Sequence, residues 1–501
     1  VDKVDAIPII PGNFTIQRGG RVIYTAEPKD FSMEPGEDID SIEKKVVLYV
    51  KVPPLQPGDQ IQKQYSYVVK APNVTASAGL WERDLRGATV TKKYEYTLTA
   101  PRDIQVNIES FGGLSLTQTS DSLQRQVWHY AGTLPYVEPF TEKAAPSLKN
   151  YAPTILISTY ANWKQLGDFY LEGEAAAMQA GLSQKMLAEI VGDATSDRDI
   201  ATAVFRWIQT NLRYDATRTS AENKMRPRDL DLVLTSRTAD CKEMVMLMKA
   251  VLAAKGIAAQ TVAVDADSYR RPTVAGVPFF NHIFLYIPSL KVYVDPTSKV
   301  YGFGVISDAV NGKKILRFGE SELDEIHAPI SANSVNSIEN IIVNDDGLIT
   351  SDLKIIASGT GIRYIIFFTD QPLSKQKYVD ALKMHGSKTE VNVVSVHVND
   401  ERVTGGPVIL SASQTLPVGL FTKNAIGTSS IALPKSVGLG SLGYQMPLSQ
   451  STPRQSPLAC RLSSTGTDDV VYTFPEEYVL STFDQNKMTL RSEIFTYERE
   501  I

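Results

Sequence analysis

Thiols and imidazoles are scarce in this chain: 501 residues contain two cysteines and five histidines. One of each stands where it could do chemistry. Cys241 lies in Thr-Ala-Asp-Cys-Lys-Glu, residues 238–243, and opens a helical run that extends to Lys255. Asp240 as N-cap and Glu243 three residues on fit a capping box. Met246, Leu247, Ala250, Val251 and Ala254 recur at helical spacing and predict the buried face, and Gly256 stops the helix. A thiol at a helix N-terminus feels the positive end of the helix dipole, which stabilises its thiolate. A lone cysteine is otherwise a small buried hydrophobe, so the residues downstream decide between the two readings.

Residues 277–288, Val-Pro-Phe-Phe-Asn-His-Ile-Phe-Leu-Tyr-Ile-Pro, read as a strand carrying His282. Lys-Val-Tyr-Val-Asp-Pro-Thr, residues 291–297, reads as the next strand and carries Asp295, with Pro288-Ser289 as the turn between them. With Ile287 opposite Leu290, the register sets His282 directly across from Asp295, where Cβ atoms are ~5 Å apart. The expected geometry has the Cys241 sulfur within ~4 Å of one ring nitrogen. The other nitrogen is expected to meet the Asp295 carboxylate at ~2.7–3.0 Å. Thiolate, imidazole and carboxylate then form nucleophile, base and orienter.

The Asp-Cys helix, Gly-Ile-Ala-Ala-Gln-Thr-Val after it, the Asn-His strand and Val-Asp-Pro-Thr together resemble the transglutaminase-like core, in that family's order of Cys, His and Asp. Ala-Val-Phe-Arg-Trp-Ile-Gln-Thr-Asn-Leu-Arg-Tyr, residues 203–214, is similar to the family's upstream helix ending in an aromatic. Ala239 stands where the family usually has Gly, a departure that touches turn geometry and not the triad. The resemblance extends to bacterial proteins in which a β-rich N-terminal domain of unassigned function precedes this core. Residues 55–65 and 96–101 carry that part of it. It also implies that an aromatic before the active site lines the cleft. That makes Trp207 and Tyr214 cleft candidates, with ordinary core packing as the competing reading.

Composition bounds the rest. Hydrophobic content of 43% and charged content of 21% are ordinary for a globular protein, and 501 residues predict two to four domains. A formal net charge of −5 gives no electrostatic case for nucleic acid or an anionic membrane. No apolar run approaches the ~20 residues of a membrane span. Two cysteines make neither a disulfide framework nor a cysteine-rich zinc site, so neither metal nor cofactor is expected. The first residue is Val and no signal peptide is visible, so a processed or trimmed form is expected.

Hydrophobic period changes twice along the chain and predicts an α+β multidomain protein. Residues 1–145 read as a β-sandwich, with strands at 45–52, 61–70, 92–99 and 125–130. Residues 146–330 form the transglutaminase-like core, mostly helical over 160–256. In it Ser196–Asn211 is an amphipathic helix with Ile200, Val204, Trp207 and Ile208 on one face. The polar loop from Asp265 to Gly276 is placed to border the cleft. Residues 331–501 form a second β-rich domain, with a hairpin over 338–357 and a helix at 374–385. Gly438-Leu-Gly-Ser-Leu-Gly443 spells a dinucleotide fingerprint, but Tyr-Gln-Met-Pro follows it and opposes the helix that motif requires. Cys460 reads as structural.

Cys241, His282 and Asp295 would carry acyl transfer: attack on an amide, then resolution of the thioester by water or an amine. The expectation is a cysteine protease or amidase acting on protein or peptide. Two alternatives stand beside it, a cross-linking transglutaminase and a non-catalytic module that keeps the fold and binds a partner. The resemblance implies a bacterial periplasmic or extracellular setting, with a cell-envelope partner as a candidate.

Overall fold

The computed structural model describes residues 9–35, 46–67, 80–84, 91–112, 115–134, 145–179, 181–215, 226–276, 280–327, 333–344, 348–369, 374–384, 392–416, 421–423, 429–431, 465–475, 488–491 and 496–499. Cys460 and the glycine motif at 438–443 lie outside these residues. Two compact units divide the chain. One holds 1–299, 309–327 and 455–459; the other holds 300–308, 328–454 and 460–501.

The first unit begins with antiparallel sheets of three strands. Arg21–Thr25, Ile9–Arg18 and Gln60–Tyr67 form one, and Thr91–Pro101, Arg125–Leu134 and Ser115–Asp121 another. In a third, Thr154–Ser158 is the middle strand between Leu80–Asp84 and Asn107–Phe111. Its sequence, Thr-Ile-Leu-Ile-Ser, has three consecutive apolar residues without alternation, and all five residues are buried, as a strand covered on both faces requires.

Five helices follow: α1 (Trp163–Ala177), α2 (Gln184–Val191), α3 (Asp197–Asn211), α4 (Leu230–Ser236) and α5 (Cys241–Ala254). Ser196 caps α3 by accepting from the Asp199 N–H, and the expected face of Ile200, Val204, Trp207 and Ile208 is buried. Helix α5 departs from the single-stripe expectation. Met246, Leu247 and Val251 are buried as predicted, but so are Met244, Val245, Met248 and Leu252, while Ala254 is exposed. The cause is packing on several sides, because α5 touches α3, α4 and the strands at 260–264 and 282–287. An all-round apolar helix is a buried helix. An antiparallel sheet backs it, in the order Val292–Val294, His282–Ile287, Gln260–Val264, Lys314–Arg317, Asp324–Glu325.

One buried polar cluster joins three elements of this unit. Glu174 of α1 accepts from Lys249 Nζ and Thr261 Oγ1, both at 2.5 Å, and so ties α1, α5 and the sheet together.

The second unit is built on another five-stranded sheet, in the order Asn392–Asp400, Val408–Leu416, Ile349–Ser358, Ser334–Val343, Thr465–Thr473. The last pair is parallel and the others antiparallel. Leu353, Ile355, Ile362, Phe368, Tyr378 and Leu410 build its core, with α6 (Ser374–Met384) packed on the strand at 392–400.

Candidate active site

The start of α5 is fixed from three sides. Asp240 Oδ1 accepts from the Glu243 N–H at 3.2 Å and Glu243 Oε2 accepts from the Asp240 N–H at 3.2 Å, completing the capping box. Arg228 grips the same glutamate through Nε at 2.6 Å and Nη2 at 2.8 Å, and Nη2 also donates to the Thr238 carbonyl at 2.7 Å. Burial pushes the Glu243 carboxyl up, but the Arg228 guanidinium and two backbone N–H groups outweigh it and hold the carboxyl below its ordinary range. The other carboxylate oxygen of Asp240 accepts from Lys242 Nζ. The charge of Asp240, directly before Cys241, is matched by that of Lys242, directly after it. Cys241 itself is half-buried.

The hairpin departs from the expected register. Leu285 faces Val294, Tyr286 faces Tyr293 and Ile287 faces Val292, so the turn has four residues, Pro288 to Lys291. A two-residue turn with Pro288 first would need a positive φ there, which the pyrrolidine ring forbids. Instead the chain makes two overlapping bonds, Leu290 N–H to the Ile287 carbonyl and Lys291 N–H to the Pro288 carbonyl, both 3.2 Å, and closes with Lys291 at φ 53°. Asp295 therefore lies diagonal to His282 rather than directly across. The slip is two residues, and side chains alternate with period two, so the carboxylate stays on the histidine's face.

Asp295 Oδ2 accepts from His282 Nε2 at 2.8 Å. Its other oxygen accepts from the Thr297 N–H at 3.0 Å and hydroxyl at 2.7 Å. Burial pushes this carboxyl up; the charge and hydrogen bond of His282, with the Thr297 bonds, overcome that and hold it down. The remaining ring nitrogen of His282, Nδ1, serves the Cys241 sulfur, with which the ring shares a hydrogen bond. Burial disfavours the imidazolium, but Asp295 on one side and Cys241 on the other prevail, and the His282 pKa is pushed up to about 10.

Tyr214 joins this group. Arg213–Tyr214 forms a short parallel bridge with Thr238–Ala239, closed by Arg213 N–H to the Arg237 carbonyl at 2.9 Å and Asp215 N–H to the Ala239 carbonyl at 3.0 Å. That bridge sets the tyrosine beside Cys241, with whose sulfur its hydroxyl shares a hydrogen bond. Burial, then the charges of Cys241, Asp240 and Asp295, raise its pKa, so the hydroxyl keeps its proton. The residue is still 39% exposed. Trp207 has other neighbours: its indole N–H donates to Glu189 of α2 at 3.2 Å and the Arg237 guanidinium stacks on its ring at 4.8 Å. Tyr170 is a contributor that sequence reading did not single out. It is buried, stacked on Phe318 at 4.7 Å, and its hydroxyl pKa is raised by burial, with Tyr160 and Cys241 adding to the shift.

Residues 184–284 match the family model of the transglutaminase-like superfamily, a span that takes in Cys241 and His282 and ends before Asp295. This segment is a transglutaminase-like domain. Among solved structures, the chain is similar to a protein from Parabacteroides distasonis provisionally designated a protease, at 13% identity over 82% of this chain and 83% of that one, with a TM-score of 0.53. At that identity the two share a fold. Weaker likenesses are to a provisionally designated cysteine protease from Cytophaga hutchinsonii (13% identity, 44% of this chain and 72% of that one, TM-score 0.20) and to a structure described as a TGase (12% identity, 38% and 46%, TM-score 0.18). No curated protein matches the chain. No helix among the described residues is long and apolar enough to cross a membrane.

Proposed function

We propose that the protein is a cysteine protease or amidase in which Cys241 is the nucleophile, His282 the base and acid, and Asp295 the residue that orients His282. The observation that carries this reading is the single imidazole held between a sulfur and a carboxylate, with Nε2 to Oδ2 at 2.8 Å. The raised pKa of His282 keeps an imidazolium charge beside the Cys241 sulfur at neutral pH. The thiolate attacks the amide carbonyl carbon and a C–S bond forms. The oxyanion accepts from the Cys241 backbone N–H at the start of α5 and from the Tyr214 hydroxyl, which the departing negative charge on sulfur frees. As the C–N bond breaks, His282 gives its proton to the leaving amine. Water then attacks the thioester, His282 takes a proton from it, and the carboxylic acid leaves as the thiolate returns.

In this reading residues 146–330 are the catalytic core, 1–145 a β-sandwich layer and 331–501 a second β-rich domain, with protein or peptide as the substrate class and the cell envelope as its setting.

The experiment is intact-mass analysis after iodoacetamide treatment near neutral pH, followed by incubation of the unmodified protein with casein and dansylcadaverine. One fast carbamidomethylation mapped to Cys241, together with casein fragments absent from Cys241→Ala, is the expected result. Dansyl label in intact casein would assign the thioester to an amine acceptor instead. Equal alkylation of Cys241 and Cys460 would remove the nucleophile.

A further inference from the structure

The loop between the strands at 260–264 and 282–287 leaves the sheet beside the candidate histidine. Val264 pairs with His282, and the Asn281 N–H donates to the Val264 carbonyl at 3.0 Å. Residues 265–276 are held from both sides. On the core side, Asn281 Oδ1 accepts from the Ala266 N–H at 2.8 Å and Asn281 Nδ2 donates to Asp267 Oδ2 at 2.8 Å. Lys313, itself buried, donates to the Ala266 carbonyl at 2.6 Å and lies over the Tyr269 ring at 4.3 Å.

Arg271 pairs with Glu325 on the same side at 3.0 Å. A second set of anchors comes from upstream of α1. Glu109, on the strand Asn107–Phe111, accepts from two successive loop N–H groups, Thr273 at 2.9 Å and Val274 at 3.3 Å. Asn150 accepts from the Tyr269 N–H at 2.7 Å and donates to the Asp267 carbonyl at 3.2 Å. Lys149 pairs with Asp265 at 3.8 Å, and Arg270 donates to the Ala152 carbonyl while stacking on Phe111 at 4.6 Å. A polar loop that only closed a hairpin would be solvated by water and free to vary. This one spends two side chains of the N-terminal region on its backbone groups and buries Ser268, Val274 and Ala275.

We propose that residues 265–276 form the substrate-binding wall on the His282 side of the cleft, and that Glu109 and Asn150 are positioning residues that set its shape. The inference rests on the acyl-transfer reading above. The N-terminal β layer is then a working part of the catalytic unit: the strand 107–111 and the segment 149–152 act on substrate through the loop.

The test compares two alkylating agents at Cys241, scored by peptide mapping. Iodoacetamide is small and needs only the sulfur; tosyl-phenylalanyl chloromethyl ketone must also rest on the walls of the cleft. In Glu109→Ala the chloromethyl ketone rate, relative to iodoacetamide, is expected to fall ~10-fold, within what a displacement of an ångström or less produces. The iodoacetamide rate and its pH profile should stay as in the parent, and Glu109→Gln, which keeps an acceptor for both N–H groups, should restore the ratio. Asn150→Ser loosens the same loop from a second point and must move the ratio in the same direction; it decides the matter if Glu109→Ala does not fold. A ratio that is unchanged or higher in the folded variants, with Cys241 reacting normally with iodoacetamide, overturns this inference and leaves the acyl-transfer reading standing. A parent Cys241 that resists iodoacetamide overturns both.

Discussion

Two five-stranded sheets, one in each unit, handle buried polar groups in opposite ways. In the first, the hydrogen-bond chain runs Thr297 to Asp295 to His282 and ends on a half-buried thiol. In the second, Glu339 is fully buried and accepts from Ser351 at 2.6 Å, Gln414 donates to Ser351 at 3.3 Å, and Tyr378 donates to Gln414 at 3.4 Å. These four residues are all buried in the second unit's core. Both satisfy the rule that buried polar groups need partners. They differ in where they lie: one runs to a half-buried thiol, the other runs among fully buried side chains.

The sharpest way to break this contrast is at Asp295. Replacing it with Asn leaves a side chain of the same shape that no longer holds the imidazolium. The rate constant for acyl transfer should fall ~10²–10⁴-fold, and the alkaline limb of the rate profile should move down from near 10. An unchanged limb in a pH series of kcat/KM would detach Asp295 from His282. Next is Tyr214→Phe, which removes one hydroxyl from the thiol's surroundings. The expected loss is ~10²-fold in kcat with KM nearly constant, as for one oxyanion donor; a loss confined to KM would make Tyr214 a wall of the cleft instead.

A smaller effect is thermodynamic. Unfolded histidine titrates near ~6.5, whereas His282 in the folded protein titrates at about 10. Its folded pKa is raised, so its contribution to stability is complete below the unfolded value and is lost as pH rises through about 10. Urea unfolding of the first unit across this range should show stability declining over that window, and starting its decline at lower pH in Asp295→Asn. The smallest effect on chemistry is expected from the second network. Glu339→Ala leaves the Ser351 hydroxyl without its buried acceptor and should cost about 1–3 kcal/mol in unfolding of that unit. The rate of Cys241 alkylation should not change; a slowed rate would mean that this network also serves the thiol.

Local signals in the sequence carried much of this. The cap at Asp240, the box with Glu243, and the apolar periods of α3 and α5 are contiguous patterns, and the helices begin where they point. The shared face of His282 and Asp295 was legible because it depends on counting by twos. The turn length turns on φ: Pro288 cannot take the positive φ that the first position of a two-residue hairpin turn requires, so four residues are needed. Long-range partners left no trace. Arg228, 15 residues before Glu243, and Glu109, 164 residues before Thr273, meet their partners only after the chain folds. Thr154–Ser158 leaves no distinct signal, because three consecutive apolar residues fit a strand or a buried helix turn equally well.

The four-residue turn at Pro288–Lys291 gives the hairpin a reading frame. A slip of the strand pairing by two residues leaves Asp295 on the histidine's side, nearer or farther along the strand. A slip of a single residue would present Val294 or Pro296 to His282 and send the carboxylate to the opposite surface. At this one point in the site, the parity of the register counts for more than the identity of the residues in the turn.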